Sequence, residues 1–108
     1  MSDEIETIAF VLRLKPGHEE EYKRRHDQLW PEMRAQLLAQ GILRYEIYLE
    51  PGSGLLFAHM RRRQGVERDM EHPVMRRWRA HMADILVQEG DYPWRRDLPL
   101  MFVLDAAG

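Results

Sequence analysis

The chain has 108 residues, of which 44% are hydrophobic and 31% are charged, a composition typical of one globular domain. Sixteen Lys and Arg against eighteen Asp and Glu give a formal net charge of −2, so no overall field favours nucleic acid or anionic lipid. The absence of cysteine excludes disulfides, zinc–thiolate sites and thiol nucleophiles. We therefore expect a single domain over residues 1–108, with residues 1–4 and 106–108 flexible.

The first predicted elements are a strand and a helix that contains a proline. The segment 6–15, ETIAFVLRLK, is apolar on both sides in its middle, which indicates an interior strand. The segment 18–40 then has the three- and four-residue spacing of an amphipathic helix. Pro31 cannot donate a backbone hydrogen bond, so we expect the helix to kink or to start again there. Gly41 is the expected residue just beyond its end.

The rest of the chain predicts a hairpin, a second helix and a last strand. Segments 42–50 and 55–63 alternate apolar and polar residues around the turn sequence PGSG, as two paired strands do. A second helix is predicted to begin with Pro73 as its first residue. The segment 98–104 predicts the final strand. The segment 88–97, with Tyr92 and Trp94, is interpreted as an irregular loop that serves as lid, dimer contact or local packing.

This order of elements, βαββαβ, predicts the fold class. Right-handed crossovers then give an α+β, ferredoxin-like arrangement in which two helices cover one face of a four-stranded antiparallel sheet. Two helices leave the other face of the sheet uncovered. A second copy of the chain is the simplest cover for it, so we expect a homodimer, a dimeric α+β barrel.

The residues best suited to chemistry are His26 and Tyr22, which lie one helical turn apart on an apolar stripe. A buried imidazole beside a phenol is a candidate acid/base pair. Spacing alone also allows a hydrogen-bonded core histidine and a packing tyrosine, which is the more usual outcome of such a pattern. Trp30 and Trp78 also lie on core-facing stripes, and suit either packing or, together with Tyr45, the apolar face of a pyranose.

Other kinds of site are not indicated. No histidine pair has metal-ligand spacing, and no Gly-rich phosphate loop is present, so we predict no metal and no cofactor. The arginines at 61–63 and 76–79 are interleaved with acidic residues, which favours an ion-paired surface over a nucleic-acid site. The longest apolar runs have five residues, far short of the roughly 20 that span a bilayer. We expect a cytoplasmic protein with no membrane contact.

Three segments resemble the signature segments of the L-rhamnose mutarotase family. They are EEEYKRRHDQLWPEM, YEIYLEPGSGLLFAHM and HPVMRRWRAHMADIL, and the likeness spans residues 8–86 and resumes in LPLMFVLD. The combination of Tyr22 and His26 with Trp30, Pro31 and Glu32, followed by a later Arg-Trp, carries the resemblance. It implies a small dimeric isomerase that interconverts the α and β anomers of a 6-deoxyhexose, L-rhamnose, without a cofactor.

The resemblance also implies roles for individual residues. His26 is the expected proton donor to the ring oxygen, with a water or a tyrosine phenol taking the anomeric proton. Tyr22, Tyr45 and Trp78 fall on the sugar-contacting positions of the family. Arg79 stands where the family commonly has the second residue of a Trp-Trp pair, so we count it as a substrate-binding residue that leaves the choice of deoxysugar open.

The loop 88–97 also departs from the family, which usually has Asn, Pro and Ser there, and Trp94 is a candidate to replace the lost aromatic ring. Because one fold can host many chemistries, three alternatives remain at this point. They are a mutarotase for L-fucose or another sugar, a cofactor-free oxygenase, and a non-catalytic dimer that binds a small ligand.

Overall fold

A computed structural model describes residues 4–106 of the chain. Three helices and six strands follow one another along it, with the order β1 (Ile5–Arg13), α1 (Glu19–Asp27), α2 (Pro31–Ala39), β2 (Ile42–Glu50), β3 (Leu55–Arg63), α3 (Pro73–Met82), β4 (Gln88–Glu89), β5 (Tyr92–Pro93) and β6 (Arg95–Asp97).

The main sheet has four antiparallel strands in the order β2-β3-β1-β6. This is the strand order of a ferredoxin-like fold, so the predicted α+β class and sheet are confirmed. The helices pack on one face of the sheet, where Leu12, Ile47 and Leu56 contact residues of α1 and α3. The core therefore lies between this face, which we call the helix face, and the three helices.

The register explains which side chains reach the helix face. Phe10 pairs with Ala58, and Ala58 pairs with Ile47, so these three side chains point to the same side. A register shift between Ile42 and Arg44 buries Ile42 and leaves Leu43 exposed. Strict alternation along β2 would place Leu43, not Ile42, on the same side as Tyr45. The bulge shifts this alternation by one residue at the start of the strand.

Pro31 divides the predicted first helix into two. The chain leaves α1 after Asp27, and Trp30 has the extended backbone (φ −59, ψ 136) that a residue before proline prefers. Pro31 is then the first residue of α2, where its missing N–H costs nothing. Three helices therefore cover the sheet instead of two. Pro73 begins α3 as predicted, and Gly41 has the positive φ (83°) expected beyond the end of α2.

The predicted final strand over 98–104 is wrong, because the fourth strand of the sheet is Arg95–Asp97. Leu98 still donates its N–H to the Ala9 carbonyl at 2.9 Å. Pro99 has no N–H to donate, which ends the pairing with β1. Within the described part of the chain, 98–104 makes no strand pair.

The segment 88–97 is also more regular than predicted. It contains the two-stranded hairpin of β4 and β5, which turns at Gly90 (φ 67°), and then β6. The ends expected to be flexible lie outside the described residues, apart from Glu4 and Ala106, which are exposed. No helix in residues 4–106 combines the length and apolar character that a membrane crossing requires.

The predicted ion-paired surface needs one correction at Arg62. Its side chain is only 5% exposed and forms an ion pair with Glu6. It also donates to the Gln40 carbonyl at 3.1 Å and to the Val66 carbonyl. Arg62 lies on the helix face of β3, where a guanidinium can be buried because all of these acceptors surround it. Elsewhere in this set of arginines, Arg76 and Arg79 pair with the neighbouring Glu71, and Arg77 pairs with Glu32 on α2.

Candidate active site

A large cavity lies between the helix face of the sheet and the helices. Its volume is about 1140 Å³, slightly above the roughly 300 to 1,000 Å³ of most small-ligand pockets. All five residues singled out from the sequence line it, namely Tyr22, His26, Tyr45, Trp78 and Arg79. A monosaccharide would leave room in it for ring opening and rotation.

The His26 ring lies between a phenol and an indole. Its centroid is 4.3 Å from that of Tyr22 and 5.5 Å from that of Trp78, whose plane is perpendicular to it. Its Nδ1 is 3.1 Å from the Tyr22 carbonyl oxygen. Because a carbonyl can only accept, the Nδ1 atom carries the proton and the lone pair of the neutral ring is on Nε2.

Burial lowers the pKa of His26 below its ordinary value of 6.5, against the smaller opposing effects of the Tyr22 carbonyl and the Asp27 carboxylate. The imidazole is therefore mainly neutral at pH 7, with Nε2 able to accept a proton. A ring of this kind, partly buried in a cavity, is suited to general base catalysis.

The two phenols remain protonated over the physiological pH range. Burial, followed by the proximity of Tyr45, raises the pKa of Tyr22 well above its usual value. Burial raises the pKa of Tyr45 to about 12, with Arg95 and Arg68 opposing the shift. Tyr22 and Tyr45 can thus donate hydrogen bonds to ligand oxygens. Because the phenolate form is unfavourable, either phenol can transfer its proton only if it regains one within the same reaction cycle.

Ion pairs fix the helix that carries His26 against the end of α3. Arg25 donates to the Asp84 carboxylate at 2.9 Å and to the His81 carbonyl at 2.6 Å, and also pairs with Glu21. Hydrogen bonds from Arg24 and Arg25 lower the pKa of Glu21 to about 2, so this carboxylate stays charged. The residue next to Arg25 is His26, whose place beside Trp78 on α3 therefore depends on these contacts.

Trp78 forms an aromatic wall of the cavity. It lies in T-shaped contact with Trp30, at 5.1 Å between ring centroids. It also packs between two groups of buried residues, one that contains Met33 and one that contains Leu56. Trp30 supports it from behind and is not part of the cavity lining. An indole held in this way presents a rigid apolar surface to a ligand.

Contacts with neighbouring residues fix the position of the Arg79 guanidinium group. It donates to the Met70 carbonyl at 3.1 Å and to the Glu71 carboxylate at 3.4 Å, and its guanidinium lies 4.7 Å from the centre of the Tyr92 ring. Tyr92 donates to the same carboxylate at 3.0 Å. These contacts hold Tyr92 at the cavity, which it lines, whereas sequence reasoning named it only as part of a loop and not as a site residue.

Trp94 does not replace the missing aromatic residue. Its ring lies between the guanidinium groups of Arg13 and Arg96, at 4.9 and 4.4 Å from the ring centre, and it is not part of the cavity lining. The idea that Trp94 compensates at the sugar site is therefore wrong. Trp94 lies between β5 and β6, and a segment interpreted as an irregular loop offered no pattern from which its position could be predicted.

Sequence reasoning also missed Arg68 and Arg95, which line the cavity. Arg95 lies on β6 opposite Leu12 and so points to the helix face. Arg68 precedes α3 in a segment without periodicity, so no pattern separated it from the charged surface. Among residues 4–106, no group of three or more His, Asp and Glu side chains is placed to hold a metal ion.

This fold and this cavity define a class, that of ferredoxin-like α+β proteins with an imidazole, two phenols and an indole around one ligand cavity. The family model of L-rhamnose mutarotase matches residues 7–104. An L-rhamnose mutarotase of Verminephrobacter eiseniae is 47% identical over 103 residues, 93% of this chain and 97% of that protein. The chain belongs to the L-rhamnose mutarotase family.

Solved structures agree with this assignment. The crystal structure of L-rhamnose mutarotase from Formosa agariphila is 32% identical, with a TM-score of 0.83, and the match covers 93% of this chain and 99% of that one. A solved protein from Mycobacterium tuberculosis shares the fold at 13% identity, with a TM-score of 0.60, covering 94% of this chain and all of that one.

Proposed function

We propose that this protein is an L-rhamnose mutarotase, an isomerase that interconverts the α and β anomers of L-rhamnose. The observation that carries the proposal is the position of His26, between Tyr22 and Trp78 in a cavity large enough for a sugar. The names of the relatives in its family supply the substrate.

We propose that His26 is the catalytic proton-transfer residue. Anomer exchange requires the anomeric hydroxyl to lose a proton while the ring oxygen gains one, which breaks the bond between C1 and the ring oxygen. The lowered pKa of His26 favours the neutral ring, so Nε2 takes the anomeric proton. A phenol of Tyr22 or Tyr45, or a water, supplies the proton to the ring oxygen.

The closing step uses the same groups in reverse. The aldehyde rotates and the C5 hydroxyl attacks its other face, giving its proton back to the phenol or water that supplied it. The protonated His26 returns its proton to the new anomeric oxygen. His26 is thus the proton donor in this half of the cycle, whereas the sequence interpretation placed its donation at the ring oxygen. Two positioned proton-transfer groups, each contributing about 100- to 10,000-fold, suffice for this reaction.

We propose sugar-binding roles for the other four predicted residues. The Trp78 indole would stack on the apolar C–H face of the pyranose. The hydroxyls of Tyr22 and Tyr45 would donate to sugar oxygens, as their raised pKa values allow. Arg79 would act from the rim, where it is held by Glu71 and Tyr92.

Exchange NMR tests this function at anomeric equilibrium. Saturation of one anomeric proton of L-rhamnose should transfer to the other anomer in the presence of the protein, at a rate proportional to its concentration. L-Fucose and L-mannose should show slower transfer. Transfer no faster than in buffer for every sugar would refute the proposal, and sugar binding without transfer would favour a non-catalytic dimer.

We also propose that the working protein is a homodimer. The outer face of the sheet carries Phe57, 39% exposed, and Tyr48, 60% exposed. The segment 98–104 adds a run of exposed apolar side chains, including Phe102 at 78% and Leu104 at 85%. Apolar area of this extent normally marks an interface, and an extended segment can pair with a strand edge of a second copy.

Light scattering after size-exclusion chromatography tests the dimer. Phe102→Glu should shift the protein towards the monomer, because a carboxylate would have to be buried in the interface. Leu38→Glu is the matched control, since Leu38 is 50% exposed on α2, away from both features. A monomeric wild-type protein, or equal effects of both variants, would contradict the proposal.

A cytoplasmic location is part of the proposal. The cysteine-free chain is compatible with a reducing compartment. Fractionation of cells followed by immunodetection tests this, and recovery of the protein outside the cytoplasmic fraction would refute it.

A further inference from the structure

The cavity contains one arginine that has no carboxylate partner among the described residues. Arg68 lines the cavity and is partly buried. Its one side-chain hydrogen bond within residues 4–106 goes to the Met70 sulfur at 4.0 Å, a weak acceptor. The other two lining arginines are paired, Arg79 with Glu71 and Arg95 with Asp97.

The surroundings of Arg68 have an excess of positive charge. Arg62 and Arg95 are close enough to act electrostatically on Arg68, and they pair with Glu6 and Asp97 respectively. Within residues 4–106, these three guanidinium groups have two carboxylate partners, Glu6 and Asp97. One positive charge is left over, and it belongs to Arg68.

The same end of the cavity has a hydrogen-bond donor and a link to His26. Arg68 and Arg95 both act on the Tyr45 phenol, which stays protonated. Tyr45 in turn acts on Tyr22, whose ring contacts that of His26. The positive end and the proton-transfer group therefore belong to one continuous cavity.

The acidic residues that line the cavity are all on α1. They are Glu19, Glu20 and Asp27, and Asp27 pairs with Lys23 at 2.9 Å. The lining carboxylates are thus on the first helix, whereas Arg68 and Arg95 lie on the connection before α3 and on β6. A ligand with one negative group would be oriented by this difference.

We propose that Arg68, assisted by Arg95 and the Tyr45 hydroxyl, forms an anion subsite within the sugar cavity, and that its ligand is the carboxylate of a hexuronate. The planar guanidinium group matches a carboxylate in geometry and charge. The acid would compete with L-rhamnose for the cavity. This inference goes beyond the proposed function, because it concerns a class of sugar that differs from a 6-deoxyhexose in charge.

Isothermal titration calorimetry of the full-length protein tests the subsite without relying on catalysis. Three ligands share one ring configuration, namely L-rhamnose with a methyl group at C6, L-mannose with a hydroxymethyl group and L-mannuronate with a carboxylate. We expect L-mannuronate to bind about 10- to 100-fold more tightly than L-mannose, as a hydrogen bond to a charged group allows. Equal affinities would overturn the proposal.

Substitutions test whether the preference for L-mannuronate depends on Arg68. Arg68→Met should reduce the preference for L-mannuronate to near unity, and Arg68→Lys should keep part of it, with folding checked by circular dichroism. Arg76→Met is the matched control, since Arg76 is a largely exposed arginine on α3 (side chain 68% exposed) outside the cavity lining, and should leave the preference unchanged. A preference that survives Arg68→Met, or is lost equally in Arg76→Met, would overturn the proposal.

Two further measurements distinguish a sugar-acid subsite from a general anion site, and the subsite from the proposed function. Acetate should bind far more weakly than L-mannuronate, because it lacks the ring that Trp78 contacts, and equal binding of acetate would show a general anion site and overturn the assignment to a sugar acid. Anomer exchange of L-rhamnose is measured on the same samples. Exchange without acid preference refutes the subsite alone, and acid preference without exchange refutes the proposed function alone.

Discussion

Replacement of His26 by alanine separates a catalytic imidazole from a packing one. If His26 is the proton-transfer group, its removal should lower kcat for L-rhamnose anomer exchange by about 100- to 10,000-fold, which corresponds to about 3 to 5 kcal/mol of transition-state stabilisation. Water can partly replace the base, so some exchange above the buffer rate should remain.

The cost in stability should be smaller than the cost in catalysis. The variant loses two ring contacts, with Tyr22 at 4.3 Å and Trp78 at 5.5 Å between centroids. Such aromatic pairs contribute about 0.5 to 1.5 kcal/mol each, so the free energy of unfolding should fall by about 1 to 3 kcal/mol. His26→Ala is therefore expected to remain folded at 25 °C, as urea unfolding can show.

The chain offers a matched control in His81. Its ring also makes two aromatic contacts, with Trp30 at 5.2 Å and with Trp78 at 5.5 Å, but it is exposed and outside the cavity lining. His81→Ala should lose a similar number of contacts and keep its activity close to that of the wild type. Wild-type exchange in His26→Ala, or an equal loss in both variants, would show that His26 has no role in proton transfer.

Three further predictions use the same preparations. The exchange rate of the wild type should fall on acidification with a midpoint below pH 6.5. The reason is that burial lowers the pKa of His26, so the active neutral ring persists to lower pH. A midpoint above 6.5 in a pH series of kcat would contradict this. Trp78→Leu should raise KM about 10-fold through lost stacking, equivalent to about 1.4 kcal/mol, while Trp30→Leu, behind the wall, should change KM much less; substrate titrations by NMR decide. Arg62→Met should lower the free energy of unfolding by about 3 kcal/mol, since it leaves buried acceptors unpaired, whereas urea unfolding of the exposed Arg61→Met should stay within about 0.5 kcal/mol of the wild type.

The features that sequence reasoning predicted correctly are those set by neighbours along the chain. The start of α3 at Pro73 and the positive φ of Gly41 depend on one residue each. The hairpin of β2 and β3 follows from alternation around a turn. Tyr22 and His26 come together because residues four apart lie on one side of a helix.

The features that it missed depend on contacts between distant segments. The run at 98–104 is as apolar as a strand, yet Pro99 and the place already taken by β6 beside β1 leave it unpaired. Arg62 has the sequence neighbours of a surface arginine, and only the fold surrounds it with the Gln40 and Val66 carbonyls. No local pattern distinguishes these cases.

The same distinction applies within the cavity. Its helical side, with Tyr22, His26 and Trp78, is encoded by spacing and so is visible as a motif. Its charged side, with Arg68 and Arg95, is assembled from a connecting segment and a short edge strand. On the proposed subsite, a substitution at Arg68 is expected to change which C6 substituent is accepted while His26 and Tyr22 stay in place. The proposed roles thus divide the cavity, with the reaction assigned to the motif residues and the charge of the sugar to residues outside the motif.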